Sequence, residues 1–138
     1  MNRSELQQLA ELRLSEAQVL LDAGKFAGAY YLAGYAIECA LKACIAKRTR
    51  EFDFPEKQTV NRSHTHDLRQ LMDVANMEEE LAVAIAKDAQ FYENWKVVRR
   101  WSEASRYKID VDDSVARLML EAVGSEPNGV LAWLRPFC

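Results

Sequence analysis

The 138-residue chain carries 18 Lys and Arg against 21 Asp and Glu, a formal charge of −3, and 49% of its residues are hydrophobic. That length supports a single domain over residues 1–138 with a full apolar core that needs neither disulfides nor a structural metal. The acidic balance excludes a broadly basic protein that coats DNA by counterion release, so no DNA partner is expected.

Cys39, Cys44 and Cys138 are odd in number and lack metal-finger spacing, which predicts free thiols in a reducing compartment. Met1 to Gln8 is polar and runs straight into a helical pattern, so no signal peptide is read and a cytoplasmic protein is expected.

Ser4 with Gln7 three residues on is a capping-box pattern, and the first helix is predicted to start there. Leu6, Ala10, Leu14, Ala17 and Leu21 form its core stripe, and Gly24 is its stop. The link to the next helix is so short that the two must run antiparallel.

That next helix, Lys25 to Arg50, is the axis of the chain. Phe26, Tyr30, Ala33, Ile37, Leu41 and Cys44 recur at helical spacing, and a second stripe through Tyr31, Gly34, Tyr35 and Ile45 runs beside it. Between Ala27 and Ala46 only Glu38 and Lys42 are charged, so the helix needs neighbours on most sides. A membrane span would bury both charges in lipid, whereas their spacing of four suits a helical ion pair, and no membrane partner is expected. Gly34 in mid-helix is explained by close packing of another element.

Glu51 to Ser63, with Phe52, Phe54, Pro55 and Asn61, is predicted as the longest loop. A short helix resumes at Thr65 or His66 and ends at Asn76, carrying Leu68, Leu71, Met72 and Ala75 on one side. A long helix is predicted from about Glu78 to Arg100, with Leu81, Ala84, Ile85, Tyr92 and Trp95 facing inward. Ser102 to Val111 has no clean period and reads as an ordered connection. Asp112 and Asp113 cap a helix carrying Val115, Leu118, Met119 and Ala122, which Gly124 ends, and Pro127 is placed in the first turn of a terminal helix containing Val130, Leu131, Trp133 and Leu134. The reading is an all-α, antiparallel up-and-down bundle of four to five main helices plus short ones.

No cofactor or metal is expected. His64 and His66 lack a third ligand, Asp67 beside them serves as a helix-start residue, no glycine-rich phosphate loop exists, and Cys39 and Cys44 sit inside the apolar helix as inert thiols. The chemistry-bearing stretch is WKVVRRWSEASRY, Trp95 to Tyr107, where three arginines alternate with aromatics. Arginine offers a planar fork of donors to phosphate, and an aromatic neighbour can stack on a base. Arg99, Arg100, Arg106 and Tyr107 are therefore expected to line an electropositive groove, with Lys42 reaching toward it. The competing assignment pairs Arg106 with Glu38 to fix the packing of two helices.

The segments LLDAGKFAGAYYLAGYAIECALKACIA, HTHDLRQLM and FYENWKVVRRWSEASRY, followed by a tryptophan-ended helix, resemble the HEPN domain (higher eukaryotes and prokaryotes nucleotide-binding) from about Leu20 to Leu134. The resemblance implies a helical bundle that usually dimerises, often beside a minimal nucleotidyltransferase in a toxin-antitoxin or defence pair. It also implies nucleotide or RNA as ligand. Many members are metal-independent RNases with an arginine and a histidine separated by four to six intervening residues, a spacing that neither His64 nor His66 has to any arginine before it. This chain lacks that motif, since the stretch after Arg99 and Arg100 reaches Arg106, whose guanidinium cannot act as a general base. The resemblance thus points to a dimeric nucleotide- or RNA-binding module, with a protein-interaction scaffold and a divergent RNase as alternatives. A homodimer is also expected from the apolar girth of the central helix and from Trp101 and Trp133, which lie in segments too short to bury both.

Overall fold

The computed structural model describes residues 1–51 and 57–138. Its helices are α1 (Arg3–Asp22), α2 (Phe26–Glu51), α3 (Lys57–Arg62), α4 (Leu68–Val74), α5 (Glu78–Lys87), α6 (Ala89–Val98), α7 (Asp113–Gly124) and α8 (Val130–Leu134), with 3-10 turns at Glu103–Tyr107 and Arg135–Phe137. No strand occurs among the described residues, and the chain is all-α as its periodicity predicts.

α1 and α2 form an antiparallel hairpin. Gly24 adopts φ +76°, where a side chain would be strained, and the Lys25 amide donates to the Leu20 carbonyl at 2.8 Å while the Gly24 amide donates to Leu21. This pattern satisfies the last carbonyls of α1 and turns the chain back. The start of α1 differs from the sequence reading: Asn2, not Ser4, caps it, exchanging 2.9 Å hydrogen bonds with Glu5 instead of Gln7. Asparagine is at least as strong an N-cap as serine, and Ser4 is left inside the first turn.

α2 is the core of the bundle, touched by α1, α4, α7, α8 and the Glu103–Tyr107 turn. From Ala33 to Ile45 only Tyr35 and Lys42 escape full burial. Gly34 is where another element comes closest, because a Cβ there would overlap the indole of Trp101. Trp101 is 3% exposed, stacks on Tyr31 with ring centroids 5.8 Å apart and donates its indole N–H to the Tyr31 carbonyl at 3.2 Å. One chain therefore covers α2 and Trp101 by itself, and Trp133 is half-buried between Phe91 and Phe137. The apolar girth of α2 and the two tryptophans no longer call for a second copy.

The predicted long helix is two helices. At Asp88 the backbone turns extended (φ −136°, ψ 103°), and its carboxylate accepts from the amides of Gln90 and Phe91 at 3.0 and 3.1 Å, capping α6. These bonds, with one from the Asn128 side chain, hold the Asp88 carboxyl below the usual carboxylate range. The break lets α6 bury Phe91, Asn94, Trp95 and Val98 while α5 buries nothing, so Leu81, Ala84, Ile85 and Tyr92 are half-buried at most.

Further along, Asp67 and Asp112 cap α4 and α7 through side-chain acceptance of backbone amides, and Asn76 ends the α4 segment in the left-handed region (φ 56°). Part of the predicted loop is helical: α3 is held by the Ser63 hydroxyl donating to the Val60 carbonyl and by an ion pair of Arg62 with Asp73 next to α4. Phe52, Phe54 and Pro55 lie outside the described residues. On α7 the buried face is Ala116, Met119, Leu120, Ala122 and Val123, while Val115 and Leu118 are 46% and 52% exposed, against expectation. Pro127 precedes the terminal helix, which Gly129 caps. The expectation of three free thiols is also corrected: the closing turn folds onto α2, Cys138 is joined to Cys44, and only Cys39 is free and buried. The cysteine pattern thus gives no argument for a reducing compartment. No helix among the described residues is long and apolar enough to cross a membrane.

Candidate nucleic-acid interface

Glu38 lies in the middle of α2 and is 2% exposed, so its carboxylate must be compensated. Lys42, one turn on, provides an Nζ at 3.3 Å from Oε2, as the spacing predicts. His66, in the turn before α4, places Nδ1 at 3.1 and 3.0 Å from the two Glu38 oxygens, where its N–H donates to the carboxylate. The other nitrogen of His66 is 3.4 Å from Glu103, which in turn holds the Arg106 guanidinium at 2.8 Å. Arg106 lies over the ring of Tyr107, 4.8 Å from its centroid.

The result is an alternating row, Lys42, Glu38, His66, Glu103 and Arg106, whose buried member is Glu38 and which ends at the surface on an aromatic face. Lys42 balances the Glu38 carboxylate and the His66 ring N–H hydrogen-bonds to it, which is how a buried acid is tolerated, and Arg106 pairs with Glu103. Arg106 does not pair with Glu38. Glu103 is three residues away on the same 3-10 turn and reaches it locally, while His66 occupies Glu38. Ser105, between them in sequence, is buried with no hydrogen-bond partner for its hydroxyl.

Arg99 and Arg100 follow α6 and are exposed, with no ion pair among the described residues. Arg100 is close enough to Tyr30 on α2 for its charge to oppose the upward pull of burial on that phenol. Tyr107 is 73% exposed and Ile109 94%. Arg106 and Tyr107 thus share one turn and Lys42 sits at the inner end of the same charge row. Arg99 and Arg100 stay outside the row, in solvent. The surface is mixed in sign where the row emerges, rather than a uniformly positive groove, because Glu103 sits within it.

Three members of the row, Glu38, His66 and Glu103, are not among the residues the sequence singles out for binding, although Glu38 is expected to pair with Lys42. His66 is weighed there as a metal ligand and as the histidine of the RNase motif, and the described residues contain no group of three or more His, Cys, Asp or Glu placed to hold a metal ion. No curated protein and no solved structure matches the chain. The model of the HEPN domain matches residues 4–124, spanning α1 through α7 and every residue of the charge row. Those residues make up most of the sequence, and the chain belongs to the HEPN family.

Proposed function

We propose that this HEPN chain is a module that binds RNA or a nucleotide through the surface formed by Arg99, Arg100, Arg106 and Tyr107. The observation that carries the reading is the exposed Arg106–Tyr107 stack, with Arg99 and Arg100 close to it in sequence, exposed, and without an ion pair among the described residues. Exposed aromatic rings take unpaired bases on their free face, and unpaired guanidiniums take phosphates. Single-stranded RNA therefore fits better than a duplex, whose bases are not available for stacking.

The test is retention of labelled single-stranded RNA at several salt concentrations, in chelator, with chain length followed in parallel. Binding with intact RNA is expected. Arg100→Ala and Arg106→Ala should each weaken retention and lower the slope of log affinity against log salt by about 0.7 for each phosphate that is no longer neutralised. Unchanged slopes would remove the surface, and neither binding nor cleavage would favour a protein-interaction scaffold.

A second reading is a divergent RNase, favoured by one observation: His66 comes within a single carboxylate of Arg106 in space, although no histidine follows the arginines in sequence. With Nδ1 donating to Glu38, Nε2 is the nitrogen able to exchange a proton with a ribose hydroxyl. Cleavage abolished by His66→Asn would establish it, and intact RNA with the unaltered chain rejects it.

We further propose a homodimer, working with a nucleotidyltransferase partner as the family implies. Its support is now the exposed Val115 and Leu118 on α7 rather than α2. Light scattering that returns the mass of one chain across micromolar concentrations would contradict the dimer.

A further inference from the structure

A groove of about 540 Å³ opens away from the arginine surface, between the start of α1, the middle of α2 and the turn that joins α3 to α4. Its size lies within the range of small-molecule sites, and its wall combines an apolar floor with a few converging polar groups. Leu6, Leu9 and Ile45 supply the floor. Lys42 reaches it from α2 and Arg3 from α1, so the two cations stand on different walls, while Glu38 is the one carboxylate.

Lys42 and Arg3 keep donors that no other group of the groove takes up. Lys42 uses one of its three N–H donors on Glu38, and Arg3 uses its Nε on the Cys138 carbonyl, leaving its terminal nitrogens without a partner among the described residues. Glu38, by contrast, has both oxygens occupied by His66 and Lys42. What remains free in the groove is donor capacity on Lys42 and Arg3, with the Glu38 carboxylate already paired. Part of the wall is shielded from water: burial pushes the Tyr35 phenol up to about 12 and the Cys39 thiol up to about 11. In such surroundings a charged hydrogen bond is stronger than at the open surface.

We propose that this groove is a binding site for a small organic anion with an apolar or aromatic body, its head held between Lys42 and Arg3 and its body on Leu6, Leu9 and Ile45. The site is separate from the arginine surface and does not depend on RNA binding there. A cationic ligand of the same shape is disfavoured, because the single carboxylate that could receive it is already fully paired.

The test uses phenyl phosphate, benzoate and benzylammonium as probes, titrated into the unaltered protein while backbone amide shifts are followed. The anions should move the amides of Leu9, Tyr35, Lys42 and Ile45 and bind at least about ten-fold more tightly than benzylammonium. Leu9→Trp, which fills the floor, and Lys42→Met, which removes the cation, should each abolish those shifts in protein that still melts cooperatively. No shift at the groove at about 10 mM probe would overturn the site. Equal binding of benzylammonium would overturn the assigned charge. Shifts confined to Arg99, Arg100 and Arg106 would assign the anion to the arginine surface and overturn the groove, leaving the RNA reading intact. Loss of RNA binding with the groove shifts retained would do the reverse.

Discussion

Trp101→Ala is expected to lower the unfolding free energy by about 3 to 5 kcal/mol, as for other large aromatic residues removed from cores. The ring is buried to 3%, stacks on Tyr31, and its indole N–H satisfies the Tyr31 carbonyl inside α2. Removing it empties a site that rigid helices on both sides cannot close. The notch at Gly34 sharpens the prediction into a change of sign. In the unaltered chain Gly34→Ala must destabilise, since the added methyl overlaps the indole and the ring has to move. In the Trp101→Ala background the same methyl has room, and the higher helix propensity of alanine should stabilise by about 1 kcal/mol. Urea denaturation of the four proteins reads both effects. A Gly34→Ala change with the same sign in both backgrounds would contradict this packing.

The second large effect is at Glu38. Glu38→Ala leaves Lys42 and His66 facing the interior without their shared acceptor, and breaking a buried charge pair costs about 3 to 5 kcal/mol. The lower end is expected, because the Lys42 and His66 side chains are 23% and 43% exposed and can turn toward water. Glu38→Gln, which keeps the shape and one acceptor, should cost less. If thermal and urea unfolding find Glu38→Ala as stable as the unaltered chain, the row does not hold α2, the α4 turn and the Glu103–Tyr107 turn together.

Much of the architecture is legible because its signals are local. Helical spacing marks α2, and Gly24, Asp67, Asn76 and Asp112 stop or start helices for reasons each residue carries in its own backbone or side chain. Asp88 is not legible in this way. Between Lys87 and Ala89 it reads as one more polar position within a continuous helical pattern, and the local cap on the Gln90 and Phe91 amides, braced by Asn128, shows only in the structure. Val115 and Leu118 keep a helical period with Met119 and Ala122, yet periodicity does not say how wide the covered arc is, and the neighbours of α7 stop short of them.

The candidate site divides along the same line. Arg99 to Tyr107 lie within a few residues, so the arginine and aromatic interleaving is visible in the string. The Lys42–Glu38 pair is visible too, at one helical turn. His66 reaches Glu38 across 28 residues and Glu103 from another element, a meeting no spacing announces. The pairing of Arg106 with Glu38 fails for a physical reason: a carboxylate three residues away costs less ordering than one on a separate helix, and Glu38 already has its partners.

The proposed RNA surface is the Arg106–Tyr107 stack together with Arg99 and Arg100. The most direct measurement is side-chain NMR on protein labelled at arginine and tyrosine, titrated with a short unstructured RNA in chelator. The guanidinium signals of Arg99, Arg100 and Arg106 and the ring signals of Tyr107 should move together and saturate at one RNA concentration, while those of Arg13 and Arg117, paired on α1 and α7, stay in place. Shifts that spare Arg106 and Tyr107, or spread evenly over every arginine, would contradict the account.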